Sequence, residues 1–121
     1  MTEYVVLLPG NEATWEAADA ATREAMYGKH REFAQKLAER GHKVTGGAEL
    51  THSREARVLR GSGDQMTITE GPYAETVEQL TGFYTVQSDD LDDLLQVCGI
   101  IAGSDGAIEV RALTGGSAGP A

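Results

Sequence analysis

Glu3-Tyr4-Val5-Val6-Leu7-Leu8 decides the fold. After the leading glutamate every residue is aromatic, β-branched or aliphatic, the composition of a strand. In an extended chain Tyr4, Val6 and Leu8 point to one side and Val5 and Leu7 to the other. Both faces are therefore apolar, and both need cover. In a chain of 121 residues one cover is the chain's own helices. The simplest second cover is another copy of the same sheet. Pro9-Gly10-Asn11 then predicts the strand's end.

Outward from that strand, residues 12–21 are alanine-rich, with Trp15 as their one large anchor, and read as a short helix or helical loop. Thr22 is the expected cap of a main helix that runs to about Arg40 and stops at Gly41. Its apolar stripe is Met26, His30, Phe33 and Leu37, spaced for one helix face. Residues 44–50 read as a strand interrupted by Gly46-Gly47. Residues 56–60 and 65–70 read as a hairpin around Gly61-Ser62-Gly63-Asp64. A strand follows over about residues 80–87. Ser88 is the expected cap of a second helix, whose buried stripe is Leu91, Leu94, Leu95, Cys98 and Ile101 and whose end is Gly103. Residues 107–113 make the last strand. A single domain thus spans residues 1–113, and the Gly- and Ser-rich residues 114–121 form a flexible tail. The order β-α-β-(β-β)-β-α-β predicts an α+β fold: a ferredoxin-like antiparallel sheet with two helices on one face.

Composition narrows the partners. The formal net charge is −9 and the pI about 4.6. Such a surface repels phosphate backbones and anionic lipid, so neither nucleic acid nor membrane is an expected partner. No apolar run approaches the ~20 residues that span a bilayer. The N-terminus is acidic and runs straight into a strand, unlike a signal peptide. The one cysteine, Cys98, permits no internal disulfide, which fits a reducing cytoplasm. The three histidines and Cys98 match no metal-ligand spacing, and no glycine cluster leads into a helix with a following lysine. No metal and no cofactor is expected.

A second informative stretch is Glu70-Gly71-Pro72-Tyr73-Ala74-Glu75-Thr76-Val77-Glu78-Gln79-Leu80-Thr81-Gly82-Phe83-Tyr84. Gly71-Pro72 makes a stiff turn. Glu75 and Glu78 are three apart, so a helical turn would put both on one face for paired acid and base work. The plainer alternative, and the favoured one, is an exposed loop whose carboxylates cap nearby N–H groups. Tyr73 is either a hydrogen-bond donor into a cleft or an aromatic plug. Phe83, Thr85 and Gln87 share one strand face of mixed polarity, suited to a ligand-lined surface. Glu109 and Arg111 share a face of the last strand. Arg111 can clamp a substrate carboxylate, although an ion pair with Glu109 is the better expectation.

This stretch resembles the YCII-related family, in the subgroup named for an Asp-Gly-Pro-Phe motif followed by Ala-Glu-Thr-Lys-Glu-Gln-Leu-Gly-Gly-Phe. Glu70, Tyr73, Val77 and Thr81 replace the Asp, the Phe, the Lys and one Gly. The similarity runs on through Ser88-Asp89-Asp90-Leu91-Asp92 and Ile108-Glu109-Val110-Arg111. The resemblance implies a dimeric α/β barrel, in which the open sheet faces of two subunits meet. It also implies a histidine on the first helix, eleven residues before the terminating glycine, regarded as a catalytic base with a carboxylate partner. His30 and Gly41 reproduce that spacing.

Two functional readings follow. In one, a cytoplasmic homodimer holds a small organic molecule in an apolar cleft. His30 then does cofactor-free acid–base chemistry with a carboxylate such as Glu75, while Tyr73, Glu78, Phe83 and Arg111 touch the substrate. In the other, the same dimer is a non-catalytic small-molecule-binding or regulatory module, a role the resemblance links to transcription factors of the alternative sigma type. A structural His30, bonded to a backbone carbonyl at the edge of its stripe, is the plainer alternative for that residue.

Overall fold

The computed structural model describes residues 1–103 and 106–114; residues 115–121, most of the expected tail, lie outside the described residues. The elements are β1 (Thr2–Asn11), α1 (Glu12–Ala17), α2 (Ala20–Glu39), β2 (Lys43–Glu49), β3 (Arg57–Arg60), β4 (Thr67–Glu70), β5 (Glu78–Ser88), α3 (Leu91–Ala102) and β6 (Glu109–Ala112). Four strands form one antiparallel sheet in the order β2-β5-β1-β6, and β3-β4 is a separate hairpin. This is the ferredoxin-like α+β arrangement expected from the sequence.

The register explains which side is buried. Val6 pairs with Tyr84 of β5 and with Val110 of β6, so these residues share a face with Tyr4, Leu8 and Val86. α2 and α3 pack on that face. Val6, Val86, Phe33, Leu37, Leu94, Val97, Cys98 and Ile101 are buried there as one core. Val5, Leu7 and Phe83 lie on the opposite face, outside the core.

Several expected boundaries move, each for a local reason. β1 does not stop at Pro9 but continues to Asn11, with a register shift between Leu8 and Pro9. β6 pairs with β1 only across Tyr4–Leu7. Proline's missing N–H therefore falls where one edge of β1 is already unpaired. The cap of α2 is Asp19, whose side chain accepts from the Thr22 backbone N–H at 2.7 Å. A carboxylate one turn ahead outcompetes Thr22, which becomes the donor. The cap of α3 is likewise Asp90, and Ser88 instead accepts the Asp90 N–H at 2.9 Å. Along α3, Val97 is buried while Leu91 and Leu95 are exposed. The buried face of the helix is therefore turned from the expected stripe, to Leu94, Val97, Cys98 and Ile101. Gly41 and Gly103 end their helices with positive φ, as expected.

Gly46-Gly47 has a sharper role than loosening a strand. A bulge separates Val44 from Gly46. A Cβ on Gly47, at φ +154°, would stand 2.7 Å from the Phe83 carbonyl oxygen and 3.0 Å from the Tyr84 ring. Only glycine lets β2 come this close to β5 beside Tyr84.

Candidate functional site

A cavity of about 960 Å³ opens between the α1–α2 region, the ends of β1, β2 and β5, and the chain after α3. Leu8, Trp15, Met26, Tyr27 and Tyr84 give it an apolar, aromatic wall, and His30 and Glu49 are among its polar groups. A mostly apolar hollow with a few convergent polar groups is the usual form of a small-molecule site.

His30 reaches this cavity because it sits four residues after Met26 on α2, at the end of the stripe where Phe33 and Leu37 go fully into the core. Its Nδ1 is 2.7 Å from the Tyr84 hydroxyl. The two rings stack with centroids 5.8 Å apart and planes 28° apart. Phe33 packs on Tyr84 as well, with ring centroids 5.1 Å apart. Among the described residues Nε2 makes no hydrogen bond with the protein. Burial pushes the His30 imidazole below its ordinary pKa, and the nearby Glu49 carboxylate pulls it partly back. Burial also pushes the Tyr84 phenol up. At neutral pH the pair is a neutral imidazole on a protonated phenol. The tautomer in which Nδ1–H donates to Tyr84 leaves the Nε2 lone pair as a base; the opposite tautomer makes Nε2–H a donor.

The second polar group lies across the aromatic wall. The Tyr27 hydroxyl donates to Glu49, 3.1 Å to Oε2 and 3.4 Å to Oε1. Trp15 meets Tyr27 edge to face at 5.6 Å. Trp15 belongs to α1, a six-residue helix with no buried residue. Too short to stand alone, it is fastened from two sides. Arg23 donates to the Trp15 carbonyl at 3.1 Å and to the Glu16 carbonyl at 3.1 Å, and its guanidinium lies over the Trp15 ring. On the other side Glu12 accepts from Ser53, and Glu16 from Arg54 at 2.6 Å. His52 Nε2 stands 3.3 Å from Glu16.

The residues singled out from the sequence do not converge. Of them, His30 and Phe83 line the cavity. Glu75 lines a second depression of about 580 Å³, which shares only Asn11, Glu12 and His52 with the first. It is exposed, as is Glu78. Residues 71–77 form no helix, and Glu78 already belongs to β5. The three-residue spacing therefore puts the two carboxylates on no common helical face. The segment is nonetheless held, with the Gln79 side-chain amide donating to the Ala74 carbonyl at 2.7 Å. Tyr73 is 82% exposed, with the Arg60 guanidinium 5.8 Å from its ring centre, and lines neither hollow. Arg111 pairs in register with Val5, on the sheet face away from the helices. Among the described residues it makes no ion pair, with Glu109 or otherwise.

One further constellation has the residue types of a hydrolase triad. Ser88 Oγ is 2.9 Å from His42 Nδ1, and His42 Nε2 is 2.7 Å from Asp93. Ser88 is only 1% exposed and also accepts the Asp90 N–H. Arg40 forks onto Asp93 and, with His42, holds its carboxyl down at about 2. This network ties the ends of α2 and β5 to the start of α3. It fastens the fold and touches neither hollow.

Sequence patterning missed Tyr84, Tyr27 and Glu49 as site residues. Tyr84 follows Phe83 in the same strand, so it faces the opposite side, and that alternation is the signal that could have found it.

The family model described as YCII-related domain matches residues 2–114. A protein of Rhizobium meliloti (strain 1021), described only as uncharacterised, is 32% identical over 113 residues, spanning 91% of this chain and 90% of its own length.

Proposed function

The chain belongs to the YCII-related family, and from that premise we propose that it binds a small, mostly apolar organic molecule in the cavity and moves a proton on it without a cofactor. His30 is the base, through Nε2, and Tyr84 is the residue that positions it. The observation that carries this is the 2.7 Å bond from Nδ1 to the Tyr84 hydroxyl. It fixes the ring on the cavity wall, while burial keeps the imidazole neutral and able to accept a proton near pH 7. Glu49 supports the reading as well, because its charge favours the imidazolium that proton transfer creates. Glu75 has no part in it.

The working form is a homodimer in a reducing compartment. Val5, Leu7 and Phe83 form an apolar centre on the sheet face opposite the core, outside the cluster that the described helices bury, and a second copy is the cover that fits. Cys98 is a free, buried thiol pushed up to about 11, a core residue with no redox role.

A non-catalytic binding module is the second reading. It is favoured by one observation: the Glu49 carboxylate bonds to Tyr27 and not to His30, so the base lacks the acidic partner usual for such a group.

A thermal-shift screen of small aromatic, carbonyl and amine compounds tests binding, with Ala25→Phe, a bulky replacement in the cavity lining, as control. Stabilising compounds are then incubated in D2O and followed by NMR for deuterium uptake. Binding lost in Ala25→Phe, with uptake lost in His30→Gln, is the expected result. Binding without any uptake establishes the second reading. The absence of any stabilising compound, or uptake that persists in His30→Gln, overturns the proposal.

A further inference from the structure

The polar groups of the cavity are not equivalent in charge, and the difference bears on what enters it. Besides His30 and the phenols of Tyr27 and Tyr84, five charged or titratable groups line it: Glu12, Glu16, Glu49, Lys29 and His52. Glu12 and Glu16 are already occupied by Ser53, His52 and Arg54. Glu49 is not. Among the described residues it forms no ion pair and accepts only the neutral Tyr27 hydroxyl. Arg23, which lies over the Trp15 ring, is spent on the Trp15 and Glu16 carbonyls.

Around that carboxylate the wall is aromatic. Trp15 and Tyr27 meet edge to face. Arg23 takes the Trp15 face that it covers from outside the cavity lining. An open carboxylate beside indole and phenol rings is the chemistry that receives an organic cation, through a charge-assisted hydrogen bond and through the ring faces. The chain's net charge of −9 acts in the same direction, since it raises the local concentration of cations and repels anions. Lys29 is the competing group. It also lines the cavity, is unpaired among the described residues and is, like Glu49, exposed, so solvent screens both charges; the aromatic pair beside Glu49 is what favours a cation.

We propose that Glu49, with Trp15 and Tyr27, forms a subsite for a protonated amine, so that the molecule taken by this cavity is a small amine with an apolar or aromatic body. This rests on the proposed cavity function and names its ligand class.

Three matched probes test it: 2-phenylethylamine, 2-phenylethanol and 3-phenylpropanoate, alike in body and different in charge. Binding to the full chain is measured by calorimetry at low and moderate salt. The amine is expected to bind most tightly and the carboxylate least. Glu49→Gln keeps an acceptor for Tyr27 but removes the charge. It is expected to lower amine affinity about tenfold and leave the alcohol unchanged. Lys29→Gln is expected to leave the amine preference in place. Added salt should weaken the amine and not the alcohol. Equal binding of amine and alcohol, tightest binding of the carboxylate, or an amine preference that survives Glu49→Gln overturns the subsite while the cavity stands. If none of the three binds, the cavity function and the subsite fall together.

Discussion

Tyr84 does at the scale of one residue what no pattern in the helix could. It turns a histidine at the end of an apolar stripe into an oriented group. Removing its hydroxyl in Tyr84→Phe leaves the stacked ring in place and strands His30 Nδ1. The expected cost is about 1 kcal/mol in urea denaturation, with any His30-dependent turnover lost far beyond that small change. His30 itself gives a pH signature. Its folded pKa is depressed, so between that value and the unfolded value, ordinarily about 6.5, the unfolded chain binds more protons. The stability it contributes is full above about pH 6.5 and falls as pH drops through the folded pKa. Stability of the wild type minus that of His30→Gln is therefore expected to decline with acidification below about pH 6.5. A difference that stays flat, or rises, would show that His30 is not the buried neutral group described.

At the scale of elements, α1 buries no residue and is held by polar contacts together with the Trp15 ring contacts. Arg23→Ala cuts the hydrogen bonds from α2, leaving the Trp15–Tyr27 ring contact and the Ser53–Arg54 side. The expected loss is about 1–2 kcal/mol. Trp15 is the sole tryptophan, so its emission should shift to the red and become easier to quench. An unchanged spectrum would mean that α1 needs no clamp. Elements were also the scale at which the sequence was most legible. Alternation in Glu3–Leu8, the α2 stripe and the glycines at 41 and 103 are local signals, and they gave the topology. What was not legible depended on competition or on distance. Asp19 against Thr22 is a contest between two good caps. Pro9 stays in a strand because β6 is too short to demand its N–H. The paired-carboxylate idea failed because Glu75 and Glu78 needed a helical turn, and β5 begins at Glu78. Glu49 and Tyr27 meet across 22 residues of sequence, a contact that spacing rules do not reach.

For the whole molecule, the hollow and the proposed dimer can be tested apart. The expectation from the sequence joined them, in a homodimer that holds its small molecule in an apolar cleft. One chain already lines the cavity, around the helix side and end of the sheet. Leu7→Asp, at the centre of the uncovered face, should therefore give a monomer in sedimentation and still bind a cavity ligand. Wild-type association should tighten with salt, because each copy carries −9 and screening removes their repulsion. A wild type that sediments as a monomer at all salt concentrations would refute the proposed dimer. The functional claim, that a neutral His30 held by Tyr84 is the working group of the cavity, is tested most directly by NMR titration of the His30 ring, assigned against His30→Gln. A midpoint below about 6.5, displaced both by Tyr84→Phe and by a cavity ligand, is the expected result. A midpoint at or above that value, unmoved by either, would contradict it.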